Sequence, residues 1–89
     1  MPNISEFYGI TIWMYGFDNQ KHKTPHIHAE YSGKWSVYSI ETGELLEGER
    51  LPGKNRKIKK WTKLHKDELM DDWTKAINGK NPDKISPLK

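Results

Sequence analysis

The run Lys54-Asn-Arg-Lys-Ile-Lys-Lys-Trp-Thr-Lys-Leu-His-Lys-Asp-Glu-Leu-Met-Asp-Asp-Trp-Thr-Lys-Ala-Ile77 places its apolar residues on one side of a helix. With Ile58 as the origin and about 100° per residue, Trp61, His65, Leu69, Trp73 and Ala76 fall within about 60° of it, and Ile77 lies just beyond. Pro52-Gly53 precedes the run and Asn78-Gly79 follows it, so both ends carry the residues that start and stop helices. The charges complicate this reading. Arg50 to Lys66 holds eight bases and no acid, and Asp67, Glu68, Asp71 and Asp72 follow within six positions. A single helix dipole prefers the opposite order by about 0.3–1 kcal/mol per charge. A break near His65-Lys66 would let Lys63 and Lys66 close one helix and Asp67 and Glu68 open another. The unbroken stripe and the absence of Gly or Pro favour one helix, with a kinked pair as the alternative.

On the N-terminal side the period changes from helical to alternating. In Phe7 to Gly16, Tyr8, Ile10, Ile12 and Met14 share one face and Thr11, Trp13 and Tyr15 the other, which predicts a first strand. Gly16 to Pro25 is polar and reads as a loop longer than a tight turn. His26–Tyr31 is a second strand. Ser32-Gly33 is a turn, and Lys34 to Glu41 is a third strand with Tyr38 and Ile40 opposite Trp35 and Val37. Thr42-Gly43 allows a hairpin into a fourth strand over Glu44 to Arg50. The expected fold is therefore α+β: an antiparallel sheet of three to four strands, packed on one face by a C-terminal helix or kinked helix pair. It forms a single domain over 1–89, with sheet 6–51, helical part 52–78 and a tail 79–89.

The whole chain of 89 residues is 34% hydrophobic, and ten aromatic residues, four of them Trp, supply much of the burial so small a domain needs. Without cysteine there is no disulfide, thiolate zinc site or cysteine nucleophile. No run approaches the ~18–20 apolar residues of a membrane span, and the start lacks a signal peptide's basic and apolar regions, so a cytoplasmic location is expected. The net charge of +3 is too small to predict a partner by itself.

Two groups of residues could carry function. His26 and His28 project from one strand face, joined by Glu30, while Ile27, Ala29 and Tyr31 point toward the core. Imidazoles titrate near neutrality, so the pair could act as general base and general acid in metal-free RNA cleavage. His22, His26 and His28, with Glu30 or water, could instead hold zinc or a similar ion at ~2.0–2.1 Å. A purely structural or partner-contact role is the third reading, and all three stay open; no cofactor is otherwise called for. His65, inside the apolar stripe, reads as a structural histidine. The second group is Arg56, Lys59, Lys60 and Lys63, which lie about 100–200° from Ile58 on the side away from the core and could follow a phosphate backbone. A solvated face steadied by Lys63 and Asp67 is the competing reading. Trp13, Tyr15 and Trp35 are candidates for exposed rings on which bases stack.

Phe7-Tyr8-Gly9-Ile10, His22-x-x-Pro25-His26-Ile27-His28-Ala29, Ile40-Glu41-Thr42-Gly43-Glu44 with Leu46-Glu47-Gly48, and Trp61-x-x-x-His65-x-x-Glu68-Leu69 with Trp73 occur in this order. Together they resemble the small prokaryotic domain-of-unknown-function family number 4160 over nearly the whole chain. The resemblance implies a gene paired with a small partner gene in a toxin–antitoxin-like module, and it carries over no catalytic residue. The chain departs from the family where relatives tend to be rich in Leu and Val: it has Lys54, Arg56, Lys57, Lys59 and Lys60. The functional expectation is a toxin-like component that binds RNA and could cleave it through His26 and His28, with an antitoxin-like small protein as partner. The alternative is a non-enzymatic interaction or nucleic-acid-binding module that docks an acidic partner protein.

Overall fold

The computed structural model describes residues 3–15 and 24–89. Five strands, β1 (Asn3–Phe7), β2 (Ile10–Trp13), β3 (His26–Tyr31), β4 (Lys34–Ser39) and β5 (Leu45–Gly48), are followed by α1 (Asn55–Leu64) and α2 (Lys66–Ile77). The strands form one antiparallel sheet in chain order, each pairing with the next. The α+β class stands, and the strand count rises from the expected three to four to five.

The extra strand arises at Tyr8-Gly9. The alternation through this segment reads as one continuous strand, but Tyr8 (φ 52) and Gly9 (φ 78) are both left-handed and pair Phe7 with Ile10. Two successive positive φ values make a tight hairpin turn whose twist suits antiparallel strands. Glycine is ordinary there, whereas tyrosine is a poor turn signal, so the turn does not announce itself. Ser32 (φ 53) and Gly33 (φ 81) repeat the geometry between β3 and β4 with more usual residues.

One sheet face is the core. Ile10, Ile12, Ile27 and Ala29 are fully buried on it, joined by Ile4, Phe7, Tyr38 and Ile40. Ile58 and Trp61 of α1 and Leu69, Trp73 and Ala76 of α2 belong to the same cluster, and the Trp61 ring lies 5.1 Å from that of Phe7. The predicted stripe therefore packs as one surface although the helix is broken at His65 (φ −112, ψ 26). Hydrogen bonding bridges the break, since the His65 N–H donates to the Trp61 carbonyl at 3.0 Å and the Leu69 N–H to the His65 carbonyl at 2.9 Å. Lys63 lies in the last turn of α1, and Asp67 and Glu68 lie in the first turn of α2. Each charge then meets the dipole end that favours it. Glu68 also accepts a 2.7 Å hydrogen bond from His65 Nδ1, which ties the corner down.

The C-terminal segment expected as a tail packs closely against the rest. The Ile85 N–H donates to the Ile4 carbonyl at 2.8 Å, and Trp61 Nε1–H donates to the Ser86 carbonyl at 2.8 Å. Ile85 is buried, and the Asp83 N–H donates to Asp72 Oδ1 at 2.9 Å. This short polar segment shows no periodicity, because it is held by single contacts to distant elements rather than by a repeating pattern.

Candidate functional site

Alternation along β3 sends Ile27 and Ala29 into the helix-covered core and His28 to the other face, where its register partners are Trp13 on β2 and Val37 on β4. Here His28, Tyr15, Trp35, Val37, Glu47 and Gly48 line a shallow concavity of about 410 Å³. The Tyr15 ring meets His28 edge-on at 4.5 Å, and Trp13 lies 6.3 Å from Trp35, which is 44% exposed. Gly48 lets β5 close this side. A Cβ there would stand 2.4 Å from the Trp35 carbonyl oxygen, and its φ of 91 suits glycine alone.

The two histidines differ in environment. Their rings are 5.4 Å apart, but His26 is 0% exposed and packs 4.9 Å from Trp73, whereas His28 is half-buried and reaches the concavity. His26 Nδ1 lies 2.8 Å from the Thr24 carbonyl, and because a carbonyl only accepts, Nδ1 carries the proton. His22, the third nitrogen of the metal reading, lies outside the described residues. Among the described residues no three His, Asp or Glu side chains converge as metal ligands.

The basic run divides into two sets. Lys54 Nζ lies 5.0 Å above the Tyr31 ring and Lys57 Nζ 4.5 Å above the Tyr8 ring, so both cap aromatic rings near the hairpin turns. Lys59 Nζ bonds Glu44 Oε1 at 2.7 Å, and this ammonium holds the Glu44 carboxyl below its ordinary range. Arg56, Lys60 and Lys63 are exposed and, among the described residues, make no ion pair. Of the four cations assigned to the binding face, three point outward with no ion pair among the described residues, and Lys59 is committed to the β4–β5 loop. The fold does not bring this face together with His28, because α1 covers the core side of the sheet and His28 occupies the other.

Two features escape the sequence reading. Tyr8 and Tyr31 are cation partners, and no local signal marks either, since the turn at Tyr8-Gly9 is itself hidden in the alternation. Asp72 lies about 40° from Ile58, inside the apolar stripe, where its charge disguises a buried position; burial pushes its carboxyl above the ordinary aspartate range, partly offset by the Asp83 N–H. Among the described residues, no helix is long and apolar enough to cross a membrane.

The model of a family described as "Domain of unknown function (DUF4160)" matches residues 9–74, about three quarters of the chain. The match runs from the β1–β2 turn into α2, leaving outside it β1 and the C-terminal segment that meet through Ile4 and Ile85. No curated protein and no solved structure matches the chain.

Proposed function

The chain belongs to the DUF4160 family, and we propose that it works in the cytoplasm as the RNA-binding, toxin-like component of a toxin–antitoxin-type pair, with a small antitoxin-like protein as partner. The observation that carries RNA binding is the outward face of α1. Arg56, Lys60 and Lys63 stand exposed on it with no ion pair among the described residues, and the helix contains no acid. Cations held on a rigid helix exchange their counterions for phosphates, so they attract a polyanion without any sequence preference. The test is titration of a labelled RNA with the full chain across a salt series. Binding is expected at ~50 mM salt, and changing Arg56, Lys60 and Lys63 together to Gln lowers the slope of log affinity against log salt by ~0.7 for each phosphate no longer neutralised. Failure of RNA to bind at that salt overturns the reading and leaves the alternative, a module that docks an acidic partner protein.

Cleavage is a second reading, favoured by the 5.4 Å approach of the His26 and His28 rings. In it His28, which reaches the surface, meets the ribose first, and His26 has to emerge from beneath Trp73 to exchange a proton with substrate. Cleavage that survives EDTA, follows a bell-shaped pH profile and falls ~10²–10⁴-fold in His28→Ala supports it. An RNA that is bound but left intact removes it.

A further inference from the structure

We infer that the hairpin end of the sheet, where the exposed Tyr8 ring lies beside Lys57 and next to the Tyr31–Lys54 pair, is the base-stacking part of the RNA site, and that the ligand is therefore single-stranded. This rests on the RNA-binding reading of α1 and adds the class of RNA.

Tyr8 occupies a left-handed conformation (φ 52) that few bulky side chains adopt and that glycine or asparagine takes at lower cost. Core packing does not account for tyrosine here, because 48% of the residue is open to solvent. What the turn does is hold the ring out at the end of the sheet, with Lys57 Nζ 4.5 Å from its centroid. The next residue joins this ring to a second one. A Cβ on Gly9 would stand 3.3 Å from Tyr31 Cε1, so the turn backbone lies against the Tyr31 ring, over which Lys54 Nζ sits at 5.0 Å. Tyr31 packs on the core and is covered by Lys54 and the turn, so in this patch of two rings and two cations Tyr8 is the ring that offers a base a face. Arg56 lies between those two lysines in sequence and is exposed, which leads from the patch to Lys60 and Lys63 further along the helix.

A single strand presents what this surface accepts: a flat base with two π-faces and, a few ångströms away, a phosphate. Stacking on aromatic side chains beside a basic track is how sequence-tolerant single-strand binding is built. A duplex keeps its bases stacked on each other and offers only phosphates. The aromatic concavity on the opposite sheet face suits a polyanion less well. Glu47 lines it, and Glu30 is the register partner of Trp35.

The experiment compares three probes against the full chain at low salt: a single-stranded RNA of about ten nucleotides, an abasic ribose-phosphate chain of the same length, and the corresponding duplex. The single strand is expected to bind about 5- to 150-fold more tightly than the abasic chain for each base that stacks. Tyr8→Gly, which suits the left-handed turn and so keeps the fold, should abolish this preference, and Tyr8→Phe should retain it. Thermal melting by circular dichroism confirms that both variants are folded. Equal affinity for single strand and abasic chain, or a duplex preference, overturns the inference and leaves the cationic reading of α1 standing. A Tyr8→Gly variant that loses the same factor on the abasic chain also overturns it, since the ring then acts only by positioning Lys57. If none of the three probes binds, the inference and the RNA-binding reading fall together.

Discussion

α1 and α2 stand one residue apart and press similar side chains onto the same sheet face: Ile58 and Trp61 from the first, Leu69, Trp73 and Ala76 from the second. Away from that stripe they are unlike. α1 carries only bases, spending Lys57 and Lys59 on contacts to the sheet and leaving Arg56, Lys60 and Lys63 outward. α2 opens on Asp67 and Glu68, and turns Asp72 inward to receive the Asp83 N–H. Apolar spacing thus sets what each helix covers, while charge sets where the first ends and the second begins. Only α1 has a cationic face left over after the fold is complete.

The largest effects are expected where the helices are alike. Trp61→Ala and Trp73→Ala should each cost ~3–5 kcal/mol, enough to unfold much of so small a domain. Urea titration that finds one of them near wild type would mean that the two helices do not share one core. Ile85→Ala should cost ~2 kcal/mol or more, because that side chain is buried among the same residues. A wild-type midpoint for this variant would show the C-terminal segment to be dispensable.

Asp72→Asn probes the one carboxylate that α2 buries within its apolar face. Burial raises the carboxyl's folded pKa, so its contribution to stability is fully present below the unfolded pKa and is lost as pH rises through the folded one. The Asn variant, whose side-chain oxygen still accepts from Asp83, should melt higher than wild type near neutrality, and the difference should shrink on acidification. A pH-independent difference would place its origin in packing. Glu68→Gln should cost ~0.3–1 kcal/mol, by weakening the charge at the start of α2 and its bond to His65. Smallest of all, Arg56, Lys60 and Lys63 changed singly to Gln should each leave stability within ~0.5 kcal/mol, so that any weakening of RNA binding reports on the binding face itself. A larger change in stability would mean that this face serves the fold.

Several of these features are visible in the residue pattern alone. The stripe from Ile58 to Ala76 follows from a period of 3.6, and the switch from basic to acidic at Lys66-Asp67 already argues for two helices against the unbroken apolar pattern. The break falls at His65, where both kinds of information agree once hydrogen bonds carry the chain around the corner. β1 is hidden because alternation runs straight through Tyr8-Gly9, and periodicity cannot tell a strand from a strand folded back on itself. The histidines show the limit on the site. Alternation puts His26 and His28 on one face, but Trp73, brought in from 47 positions along the chain, covers one ring and leaves the other half-buried beside Tyr15.

Local spacing and charge by themselves determined the antiparallel strands from His26 onward, the apolar helical surface and the excess of cations on α1, because each depends on neighbours within a few residues. Tertiary structure alone decided which of those groups remain available. Lys54, Lys57 and Lys59 are drawn to rings and a carboxylate supplied by the sheet, His26 is closed off by α2, and the C-terminal residues are held by Ile4, Trp61 and Asp72. The physical reason is that burial and pairing depend on distance in space, and residues as far apart as Ile4 and Ile85 become neighbours only when the core closes between them.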